Sequence, residues 1–167
     1  FRWSGLGSLS PPDHPHANLL ERPGGVLIRA GEGAASEALT VQFRWAPIED
    51  YAPPGPDAFS HFAKGLTIED GARIAQSERV FVLQFSSPHS RLLVANKAAC
   101  ELVAELAEGT GGNPWDDECR LIYSALAWRG SRVATWQGDI PDMREHVTMH
   151  AYRTPDLVRI ITLGMRK

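Results

Sequence analysis

Long apolar runs are missing from this sequence. The longest, Val80 to Phe85, is already broken by Gln84, whereas a membrane-spanning helix needs roughly 18 such residues. An excess of one charge is missing too: 20 acidic and 17 basic residues give a net charge of −3, with no basic tract. Phosphate contacts dominate nucleic-acid affinity and call for a positive patch, so no nucleic-acid partner is expected. Long acidic or basic blocks, the mark of a charged interaction tail, are absent as well. Cysteine is rarest. Cys100 and Cys119, with 18 residues between them, are too few for a stapled scaffold. Both fall in segments read as helical, where buried free thiols are common, so they are expected to be unbridged.

What is present is ordinary for a globular chain. A hydrophobic share of 43% and a charged share of 22% over 167 residues suit one domain with a real core. The chain starts at Phe1, not methionine, and so reads as a fragment or a processed product. Residues 1–24 contain Ser10-Pro11-Pro12-Asp13-His14-Pro15-His16, which cannot be helical because proline removes amide donors and restricts its predecessor. This stretch reads as an extended arm, and residues 25–167 as a single domain.

Within that domain, Gly25–Ala30 and the alternating Leu39–Trp45 predict a β-hairpin. Ala58–Lys64 predicts two helical turns closed by Gly65, and Thr67-Ile68-Glu69-Asp70 the acidic start of a helix reaching about Ser77. Arg79–Phe85, the most apolar stretch, predicts a central strand. Ser87-Pro88 then reads as cap and first position of the clearest helix, with Leu92, Ala95, Ala99, Leu102, Val103 and Leu106 on one face and Gly109 at its end. Asn113-Pro114, followed by the acidic Asp116-Asp117-Glu118, predicts a helix to about Ala127. Arg132–Gln137, Glu145–Tyr152 and Leu157–Leu163 predict three strands. The order ββααβααβββ points to an α+β fold: one mixed or antiparallel sheet with helices mainly on one face.

Candidate chemistry is sparse. His146 and His150, four apart on a predicted strand, share a face with Thr148 and Tyr152, but their bases stand about 13 Å apart, too far to share one metal. No H-E-x-x-H occurs, and His14 and His16 lie in the arm, so no metal is expected. Ser86-Ser87-Pro88-His89-Ser90 follows the predicted central strand, a common position for active sites, although helix capping accounts for every residue there. No G-x-S-x-G occurs. Gly109-Thr110-Gly111-Gly112 joins two predicted helices, and Gly31-Glu32-Gly33 holds an acid that opposes phosphate, so no cofactor is expected. Neighbours on a helix point about 100° apart, so Asp116, Asp117 and Glu118 cannot converge on a cation.

The terminal hairpin is the most informative candidate. A turn at Pro155-Asp156 sets His150 opposite Ile161 and Tyr152 opposite Arg159. Val147, Met149, Ala151, Val158 and Ile160 would then form the core side. The side with His146, Thr148, His150, Tyr152 and Arg159 would be a binding surface, for which an aromatic and an arginine are suitable anchors.

Gly111-Gly112-Asn113-Pro114-Trp115-Asp116-Asp117-Glu118-Cys119-Arg120 and Ile160-Ile161-Thr162-Leu163-Gly164-Met165, with the strand and long helix before them, resemble uncharacterised bacterial proteins classed as domains of unknown function. The resemblance covers roughly residues 66–167. It implies a bacterial origin and brings no catalytic residues. With no convergent catalytic set, no cofactor fingerprint and a proline-rich arm suited to docking, the expected function is a non-catalytic protein-binding or assembly module of a bacterial multi-component system. The alternatives are a small hydrolase or transferase using His146, His150 and the Ser86–Ser90 loop, and an immunity or inhibitor protein.

Overall fold

A computed structural model of the chain describes residues 24–29, 37–51 and 53–164. Except for Gly24, the arm lies outside the described residues. Strands β1 (Gly24–Arg29) and β2 (Glu37–Pro47) lead to α1 (Phe59–Phe62), β3 (Ala63–Lys64), α2 (Ile68–Ala75) and β4 (Arg79–Ser86). The long helix α3 (Leu92–Thr110) follows, then β5 (Trp115–Asp116), β6 (Leu121–Tyr123), α4 (Ala125–Trp128), α5 (Met143–His146), β7 (Thr148–Arg153) and β8 (Val158–Leu163). Helices and strands are mixed along the chain, and the α+β class holds.

The single sheet does not. The described strands form three small sheets, in the orders β1-β2-β4, β3-β6-β5 and β7-β8. The expected β1–β2 hairpin is present, but β4 pairs with β2 at the side of its sheet. An apolar run reports that both faces of a strand are covered; it says nothing about how many strands flank it.

Thr67 begins α2 as expected. Its side chain accepts from the Asp70 amide while the Asp70 carboxylate accepts from the Thr67 amide, a closed capping box. The Ser87 cap of α3, however, is overturned. Pro88 is extended, with ψ 142°, and a 3-10 turn at His89–Arg91 precedes the helix. The helix also passes Gly109 and stops at Gly111, whose φ of 68° and amide bond to the Ala107 carbonyl close it.

The predicted helix over 113–127 is replaced as far as Tyr123 by β5, a turn and β6, with only its end, from Ala125, helical, so Cys119 is not in a helix. The predicted strand Arg132–Gln137 is replaced in its first half by a wide π-type turn, Arg129–Val133, that continues α4. Both reversals come from the helix α3: it offers an apolar side to residues whose local pattern fitted another element.

That helix is buried on two sides. Ala95, Ala98, Ala99, Leu102 and Leu106 pack with Val41 and the half-buried Phe81, Leu83 and Phe85. Cys100 and Ala104 pack with Cys119, Leu121, Tyr123 and Trp128. Both cysteines are buried, and neither is in a disulfide bridge. Leu102 is 1% exposed, so Leu102→Ala is expected to destabilise the fold by about 2–5 kcal/mol, read from a urea unfolding curve. An unchanged midpoint would refute this packing. Among the described residues no helix is long and apolar enough to cross a membrane.

Candidate functional site

The terminal hairpin has the register expected of its turn. Thr148 pairs with Leu163, His150 with Ile161, Tyr152 with Arg159 and Arg153 with Val158. The Thr154 amide donates to the Leu157 carbonyl at 2.9 Å, and the Leu157 amide donates to Thr154 Oγ1 at 3.1 Å, so Pro155-Asp156 sits at the tip.

The sidedness is reversed. Met149, Val158 and Ile160 are 75%, 60% and 65% exposed, Leu157 is 71% exposed, and Ala151 is exposed too. The side read as core is thus the outward one. On the other side, Thr148, Ile161 and Leu163 are partly buried. Period-two alternation tells which side chains share a face but not which face meets the protein, and here the body takes the Thr148 side. In the backbone register His150 pairs with Ile161 and Tyr152 with Arg159, and Arg159 is exposed near the tip.

His146 leaves the hairpin altogether. It closes α5, which Asp142 caps by accepting from the Arg144 amide, and its ring is buried edge-on against Trp136 at 5.4 Å. The expected face of His146 with His150 is therefore a misreading: the chain is helical at His146 and becomes extended only from Val147. The Ser86–Ser90 loop lies on the surface, with Ser86, His89 and Ser90 exposed.

The reading of the sequence missed a buried polar cluster. Arg132 Nη2 donates to Asp116 Oδ2 at 2.6 Å and to the Tyr123 hydroxyl at 3.0 Å. Its guanidinium also lies 5.4 Å from the Tyr123 ring centre and 5.6 Å from that of Trp128. Burial opposes the Arg132 charge, but Asp116 and Tyr123 more than offset it, and its pKa is raised. Burial pushes the Tyr123 phenol up to about 12 against the pull of the Arg132 charge. Asp116 Oδ1 also accepts from the Cys119 amide at 3.1 Å, which fixes the turn. Asp116 is therefore a core anion rather than a helix-start acid. Nothing in the sequence marks Arg132, because its burial depends on the π-type turn that aims it inward.

The cluster is sealed, so it orders β5, β6 and the turn after α4 rather than meeting a ligand. Among the described residues no group of three His, Cys, Asp or Glu side chains is arranged to hold a metal; His14 and His16 lie outside those residues. The outward face of the terminal hairpin is thus the strongest candidate for function. The chain matches no family model, no curated protein and no solved structure.

Proposed function

We propose that this chain is a non-catalytic protein-binding or assembly module, and that its contact surface is the outward face of the β7–β8 hairpin. The observation that carries this reading is the exposure of Met149, Leu157, Val158 and Ile160 on one short ribbon. Fully burying one such side chain is favourable by about 1.5–3 kcal/mol, so contiguous exposed patches of this kind mark contact sites. A two-stranded ribbon is also marginal alone and gains from being covered. The exposed Arg153, paired with Val158, edges the patch, with Asp156 at the tip. The partner that fits is a protein with an apolar centre bordered by carboxylates.

An immunity or inhibitor protein is a special case of the same reading. The hydrolase or transferase reading is disfavoured, because His146 is 2% exposed and out of a substrate's reach. The bacterial origin in this reading rests on the resemblance over residues 66–167.

Met149→Asp with Ile160→Asp tests the surface. Both positions are exposed, so stability should change by less than about 0.5 kcal/mol each. A protein retained by the native chain is purified and titrated against both forms, and the variant is expected to bind about a hundredfold more weakly. Equal affinity for native and variant would overturn the assignment.

A further inference from the structure

A second surface is incomplete for a different reason. Among the described residues β4 pairs only with β2, so its other edge carries backbone amides and carbonyls that no described strand meets. Such edges are usually blunted by proline, inward charges, bulges or shortness. β4 has none of these. It runs eight residues, Arg79-Val80-Phe81-Val82-Leu83-Gln84-Phe85-Ser86, with one charge at its start, and its pairing with β2 shows no register shift.

The core also stops short at this edge. Helix α3 approaches β2 more closely than β4, and Phe81, Leu83 and Phe85, although packed against the helix cluster, are only half-buried. A partner that supplies a strand and continues the apolar face beneath the helix layer would complete both.

We propose that a second copy of this chain does both, by antiparallel β4–β4 pairing about a twofold axis at Leu83. Faces must match across a pair, so odd residues must oppose odd ones. Centred on Leu83, the register sets Leu83 opposite Leu83 of the second copy, Phe81 opposite Phe85, Val82 opposite Gln84 and Val80 opposite Ser86. Aromatic and aliphatic side chains then meet on the core face, a favourable kind of cross-strand pair. The lone charge, Arg79, falls opposite Ser87, so no like charges oppose. The product is a six-stranded antiparallel sheet with both α3 helices on one face, and the interface is isologous, as a closed dimer requires.

The test is sedimentation equilibrium of the full chain across micromolar concentrations, where a monomer–dimer equilibrium is expected. Val82→Lys with Gln84→Lys places lysine opposite lysine at both symmetry-related sites, and should raise the dimer Kd about tenfold or more. Val82→Lys with Gln84→Glu changes the same positions but opposes unlike charges, and should return the Kd to within about threefold of the native value. A native chain that is monomeric throughout overturns the proposal, as do two variants that weaken the dimer equally. A dimer abolished by Met149→Asp with Ile160→Asp also overturns it, because the hairpin is then the interface. The edge proposal is independent of the partner-binding one: a monomer that still binds its partner through the hairpin defeats only the edge.

Discussion

Arg132→Met is expected to remove about 3–5 kcal/mol of stability, a large part of the roughly 5–15 kcal/mol that holds a typical domain. The reason is the asymmetry of buried ion pairs. Together, Arg132 and Asp116 satisfy each other at 2.6 Å in a site where both are nearly inaccessible. Alone, the carboxylate keeps its burial and loses its guanidinium, and the Tyr123 hydroxyl loses a donor. Replacing both charges is therefore expected to do less harm than replacing one: Arg132→Met with Asp116→Leu should recover much of the loss. Urea unfolding with an unchanged slope measures all three. A single variant within 1 kcal/mol of the native chain would show that the pair does not hold β5, β6 and α4 together.

Gly164→Ala is the second large effect, expected at about 2–5 kcal/mol from overpacking and a left-handed backbone combined. Gly164 has φ 85°, where a Cβ is penalised whatever its surroundings. Its surroundings are also full. A Cβ there would stand 2.5 Å from the His146 carbonyl oxygen and 2.7 Å from Cys119 Sγ. The first is backbone and cannot rotate away. The second is itself engaged, since the thiol donates to that carbonyl at 3.4 Å. Gly164 thus fastens the end of β8 to α5 and to the turn after β5. Thermal unfolding of the variant should begin at a lower temperature, with Cys119 becoming reactive toward a thiol reagent before global unfolding. An unaltered melting temperature would mean that this close approach does not exist in solution.

At both of these positions the sequence was silent; elsewhere it was readable. Thr67 and Asp70 announced the start of α2 because a capping box is made by residues three apart, within reach of local rules. The α3 stripe was legible for the same reason: helical spacing alone puts Ala95, Ala99, Leu102 and Leu106 on one side. The hairpin register was legible because a turn at Pro155-Asp156 leaves only one pairing that matches faces. Unbridged, buried cysteines were also anticipated, although Cys119 reached burial in a turn rather than a helix.

Tertiary structure alone decided the rest. Whether the apolar or the polar side of β7–β8 faces inward depends on what the body offers, and alternation is blind to it. His146 and His150 parted because the chain changes from helix to strand between them: Asp142 starts α5, and Trp136 packs on the His146 imidazole at its end. Asp116 looked like one of three helix-start acids until Arg132, 16 residues later, gave it a buried cation. Local propensities, caps and turn chemistry are written in neighbouring residues, and the sequence by itself determined those. Which face is buried, which charge is paired and which edge is left open depend on groups brought together from distant positions, and only the folded chain settles them.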